Sequence, residues 1–170
     1  MAAGKATQDV ILAAVVERLH TQIDELTEDT CILTEDPYPS HSPPGDVFVT
    51  VSIGDGNFDE GMFAAGGVEQ VFERSAIVVT VFSRVSTDRK DEATGVLLDP
   101  ERGMLSVWKR KVLQAILKDN WDPVDGNTGL ELTRNMFAPL SAGAPQRVED
   151  DGISYSMMSL VFSMDYDWNL

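Results

Sequence analysis

Asp55, Asn57 and Asp59 carry oxygens at alternate positions, the spacing with which a loop turns successive ligands toward one calcium ion. The rest of such a loop is missing. Its sixth position, where the sharp turn demands glycine, is Glu60, and its twelfth, where a bidentate glutamate should close the shell, is Gly66. Gly54 and Gly56 could open a phosphate cradle, but a cradle needs a helix directly after its glycines. Val68-Glu69-Gln70-Val71-Phe72 reads as strand instead. Ser40-His41-Ser42 sets hydroxyls beside an imidazole, and adjacency in sequence is not the geometry of a catalytic triad. His20 falls near the edge of a helical apolar face and reads as a partly buried structural residue. The carboxylates of Asp24, Glu25, Asp122, Asp125 and the 149–151 run sit in polar turns, and none is marked as an acid–base pair. With no Cys/His cluster, no zinc site is expected. The reading is of a chain that is not an enzyme, with no catalytic residue, cofactor or metal.

The elements that would position these residues fit one domain over residues 1–170. A chain of this size buries roughly 70% of its unfolded surface, so it needs no disulfide or metal staple. The single cysteine, Cys31, lies in the apolar run Thr30-Cys31-Ile32-Leu33 and reads as a buried small hydrophobe. No window is apolar enough for a membrane span, and Met1-Ala2-Ala3-Gly4-Lys5 lacks a signal core, so no membrane association is expected. With 28 acidic against 13 basic residues, the formal charge is -15. That charge argues against non-specific phosphate binding. The densest basic set, Arg102, Lys109, Arg110, Lys111 and Lys118, falls on one expected helix and could meet an acidic neighbour, or simply be a solvated face.

Leu12, Val15, Val16, Leu19, Ile23 and Leu26 recur at three- and four-residue spacing and predict an amphipathic helix over 8–26, with Thr7 as its N-cap. Cys31 to Leu33 reads as a short strand. Four prolines within residues 35–45 then forbid regular pairing. Val47, Val49, Val51 and Ile53 alternate with polar and aromatic neighbours, a strand with one strongly apolar face. A loop with five glycines is expected over 54–67. Val68 to Arg74 and Ala76 to Ser86 read as strand, bent or bulged at Arg74-Ser75. Apolar residues on both faces of the second part mark it as central. Asp99-Pro100-Glu101 opens a second helix that ends near Asn120, with Met104, Leu105, Trp108, Val112 and Ile116 buried. Residues 121–152 are expected to be mainly extended loop around a strand at 130–137, before a last strand at 153–168. On that strand Met158, Leu160, Phe162, Met164, Tyr166 and Trp168 share one face. Core packing accounts for most of this face, and a subunit interface for its end, Tyr166 and Trp168. The fold class is therefore α+β: a mixed, mainly antiparallel sheet packed against two principal helices, with long Gly- and Pro-rich loops.

This order of elements, carried by Thr7 to Leu26, Val47 to Ile53, the 54–67 loop, Ala76 to Ser86 with Thr87-Asp88-Arg89, and Asp99 to Asn120, resembles the tail terminator and related neck or tail-completion proteins of long-tailed bacteriophages. The Pro-rich loop and the 121–152 segment depart from the pattern. The resemblance implies a structural virion protein of the tail or neck, assembled in the host cytoplasm. It implies a homo-oligomeric, six-membered ring that caps the tail tube and meets the head-side connector. DNA would pass through an acidic lumen without specific binding. Such a ring uses heterologous contacts, so two different faces of each subunit must be adhesive. Met62 and Phe63 are the expected apolar anchors in the Gly-rich loop, beside Tyr166 and Trp168. Other readings of the residues stay open: another connector or adaptor protein of the virion, or a small cation- or partner-binding domain acting through Asp55, Asn57 and Asp59.

Overall fold

The computed structural model describes residues 7–35, 38, 45–58, 70–84, 105–124, 131–150 and 152–169. Two helices, α1 (Thr7–Gln22) and α2 (Leu105–Leu117), lie against one face of a six-stranded sheet. The strands are β1 (Cys31–Leu33), β2 (Val47–Phe58), β3 (Gln70–Arg84), β4 (Thr133–Ala142), β5 (Gln146–Asp150) and β6 (Ile153–Asn169). Their order is β1-β2-β3-β6-β4, with β5 paired to β6 beyond the end of β4. Only β1 and β2 run parallel; every other pairing is antiparallel. The α+β class and the mixed, mainly antiparallel sheet with two helices are as the periodicities predict.

Alternation decides which side chains meet the helices. Val49 and Val51 of β2, Ile77, Val79 and Val81 of β3, and Met158, Leu160, Phe162, Met164 and Tyr166 of β6 form one apolar surface. Ile11, Leu12, Val15 and Leu19 of α1 and Leu105, Trp108, Val112, Ala115 and Ile116 of α2 close over it. Helix α1 covers the β1–β2 side and α2 the β3–β6–β4 side. The opposite face of the sheet carries a second cluster: Phe48 stacks on Phe82 with centroids 4.6 Å apart, and Tyr155 meets Phe48 edge-on. Beside it Thr50, Thr80 and Ser159 form a row across three strands, where Thr80 and Ser159 share a hydrogen bond of 2.9 Å.

Several expectations are corrected. Helix α1 ends at Gln22 rather than 26, and Thr7 is its first residue rather than a cap outside it. Ile23 and Leu26 still reach the core, because the turn that bonds Leu26 N–H to Ile23 C=O curls them under the helix. The 54–67 loop loses its first five residues to β2, since Gly56, Asn57 and Phe58 pair with Ser75, Arg74 and Glu73. The irregularity expected at Arg74-Ser75 lies on the partner instead, between Ile53 and Gly56, while β3 pairs with β6 without a break. Among the described residues of 121–152, expected to be mainly extended loop, two strands form, β4 and β5. Strand β4 runs through Ala138-Pro139-Leu140-Ser141-Ala142, where prediction put a loop. As an edge strand it tolerates Pro139, and three register shifts absorb the irregular sequence. Then β5 and β6 form a hairpin that turns at Gly152, whose φ of 78° is in the left-handed region.

Cys31 is buried, with its thiol 3.7 Å from the Val16 carbonyl oxygen. Burial pushes its pKa up to about 12, so the thiolate is not populated at neutral pH. A thiol reagent at neutral pH should leave the folded protein unlabelled and react stoichiometrically in denaturant. Fast labelling without denaturant would mean that this packing opens readily.

Candidate functional site

At the end of the sheet where β2 leaves its partner, three polar side chains are buried together. Tyr166, fully enclosed, donates its hydroxyl to Glu73 Oε2 at 2.8 Å, and Ser75 donates to Glu73 Oε1 at 2.5 Å. Glu73 is only 7% exposed. Gly56 makes this possible: a Cβ there would stand 2.1 Å from Glu73 Oε1 and 2.6 Å from Ser75 Oγ. The two hydroxyls give both oxygens of Glu73 a hydrogen bond, without which burying them would be costly.

On the other face of the same sheet end, Arg74 grips Asp165 through two bonds, Nε–Oδ1 at 2.9 Å and Nη2–Oδ2 at 3.2 Å. Asp165 is buried while Arg74 remains mostly exposed. This pair lies in a groove of about 420 Å³ whose walls include Asp55 and Asn57 on one side and Ala138 and Leu140 on the other. Two of the three residues weighed for a cation thus face a groove beside a guanidinium, an arrangement that suits an anionic or mixed-charge contact better than a lone cation. Asp59 lies outside the described residues, and among the described residues no group of three or more His, Cys, Asp or Glu could hold a metal ion.

A third feature is the outer side of α2. Lys111 bonds Glu25 at the end of α1, which holds the Glu25 carboxyl below its ordinary range, and Gln114 and Ala115 also turn toward α1. Arg18 of α1 donates to the Ala115 carbonyl at 2.8 Å and lies over the Trp121 ring, satisfying the end of α2. With that side engaged, Lys109, Arg110, Leu113 and Leu117 line an open depression of about 490 Å³ on the side away from α1. Leu113 and Leu117 are half-buried and form its apolar floor.

The interface residues expected from sequence fare differently. Tyr166 is enclosed by this chain's own core, where packing and the Glu73 bond account for its burial. Trp168 continues β6 opposite Val71, but its side chain is outside those described. Met62 and Phe63 lie outside the described residues. His20 is half-buried on α1. The buried Glu73 was missed because its partners are 2 and 93 positions away, and only the β3–β6 register joins them.

Asp122 follows α2 and accepts a hydrogen bond from Thr133 at the start of β4. Burial is the main cause that raises its pKa, and Glu131 adds to it, while Thr133 opposes both. The folded state therefore holds this proton more tightly than the unfolded chain. Ionising Asp122 costs stability, and the cost sets in as pH rises through the unfolded and then the folded pKa. Asp122→Asn keeps the acceptor oxygen and removes the charge. Its denaturant midpoint should exceed that of wild type near neutral pH and converge with it in acid. A variant less stable at neutral pH would show that the carboxylate is needed as a charge.

No family model and no curated protein matches this chain. Among solved structures, one chain that is 19% identical aligns over 92% of this chain and 94% of its own, with a TM-score of 0.46. A likeness that distant carries no argument about function. Among the described residues no helix is long and apolar enough to cross a membrane.

Proposed function

We propose that this chain is a non-enzymatic structural protein of a bacteriophage tail or neck, a terminator-like subunit of a homo-oligomeric ring. It would cap the tail tube and present a joint to the head-side connector. The observation that supports this reading is an open sheet with two unlike flanks, each carrying a large exposed apolar side chain. Leu33 on β1 is 46% exposed at one edge, and Leu140 on β4 is 61% exposed at the other. Closing a ring takes two different faces on opposite sides of a subunit. The charge of -15 would also let DNA slide past a lumen built from such subunits. Light scattering across a concentration series, with negative-stain imaging, tests the proposal. The expected result is a closed ring near six copies. A two-fold dimer, or a monomer at every concentration, would overturn it.

A further inference from the structure

We propose that the outer side of α2 and the turn between α1 and β1 are two halves of one contact, joining each copy of this chain to the next. On α2, the apolar floor of Leu113 and Leu117 is rimmed by Lys109 and Arg110, with Lys118 at its end shared with the groove that holds Asp24 and Glu25. The ion pairs between described residues engage Arg74 and Lys111, so neither Lys109 nor Arg110 is in an ion pair with a described carboxylate. An uncompensated basic rim is notable in a chain with 28 acidic and 13 basic residues, because nearly any surface of a second copy is acidic.

The opposite flank carries the matching pattern. Glu28 and Asp29 are exposed in the turn after α1, which is braced by Thr27 N–H donating to Thr30 Oγ1 at 2.8 Å and Cys31 N–H donating to the Thr27 carbonyl at 2.9 Å. Neither Glu28 nor Asp29 is in an ion pair with a described residue. Leu33, exposed two residues beyond Cys31, supplies the apolar part. The turn follows Glu25, which meets α2 through Lys111, whereas Lys109 and Arg110 line the depression on another side of the helix. Lys109 and Arg110 therefore lie on a different side of α2 from the chain that leads into this turn. One copy cannot join them, and the α2 patch cannot face itself without setting cation against cation. Head-to-tail docking of a second copy satisfies both. The inference rests on the ring reading only in expecting the series to close.

The test uses the full chain and two charge-reversed variants, Lys109→Glu with Arg110→Glu, and Glu28→Lys with Asp29→Lys. Arg110, Glu28 and Asp29 are exposed and Lys109 is half-buried, and circular dichroism checks that each variant folds. Sedimentation velocity should show wild-type assembly that weakens as salt rises. Each variant alone should associate more than about tenfold more weakly, because like charges now meet. An equimolar mixture should regain assembly, since every contact between unlike variants again pairs opposite charges. Wild-type rings that neither variant disturbs would overturn this contact and leave the ring reading standing. An open, salt-sensitive chain of copies that both variants abolish would uphold the contact and overturn the ring. A wild type that stays monomeric in low salt would overturn both.

Discussion

Gly56→Ala is expected to destabilise the fold by about 2–4 kcal/mol, far more than the fraction of a kilocalorie that alanine usually changes at an exposed strand position. The added methyl would occupy the place of Glu73 Oε1, 2.1 Å away. The end of a glutamate is normally free to swing aside. Here it is held by the hydroxyls of Tyr166 and Ser75 and enclosed by the core, so moving it breaks those bonds and leaves a buried carboxylate poorly satisfied. A mutant cycle makes the cause visible. In a Glu73→Ala, Ser75→Ala background both obstructing groups are gone, and Gly56→Ala should then cost less than about 1 kcal/mol. Equal costs in both backgrounds, measured by denaturant unfolding, would show that the glycine matters for the backbone of the neighbouring bulge and not for the carboxylate.

Phe48→Ala should cost about 3–5 kcal/mol, although Phe48 lies on the face of the sheet that the helices do not cover. The ring is 1% exposed, stacked on Phe82 and met edge-on by Tyr155. Its loss removes both the buried area and the aromatic contacts. Phe58, on the same strand but 55% exposed, serves as the control: Phe58→Ser should change the unfolding midpoint little. If Phe48→Ala proved as mild as the control, the second cluster would be a minor ornament on a one-sided fold. The expected contrast makes this sheet a structure with two cores.

Helical and strand periodicity carried much of the fold in the sequence. Leu105, Trp108, Val112 and Ile116 recur as a helix requires, and Ile77, Val79 and Val81 alternate against Phe82 as a central strand requires. The reading failed where local residues speak for loop and a distant strand overrules them. Gly54 to Phe58 is rich in turn formers, yet Glu73 to Ser75 pair with Gly56 to Phe58 beyond the bulge. Ala138 to Ala142 contains proline, yet β6 supplies a partner, and bulges accommodate the mismatch. The basic helix was legible as a cluster, but its division was not. Lys111 turns inward to Glu25 while Lys109 and Arg110 face outward, a difference that depends on where α1 packs. No local pattern marks Glu73 as a buried charge, since neighbouring apolar residues and an intervening serine fit an ordinary half-exposed strand equally well.

Strand β6 follows the other described strands in chain order, yet it lies between β3 and β4 and also holds β5. Until it emerges, among the described residues β3 has no neighbour on one side and β4 and β5 have no partner within the sheet. The nascent chain therefore carries a long apolar strand edge until β6 pairs with it. Such an edge can be filled by the β6 of another chain, which makes strand exchange between copies the natural error of this fold at high expression. The many contacts between distant positions also place it among topologies that close slowly, so the interval of exposure is set by translation and by chain closure together.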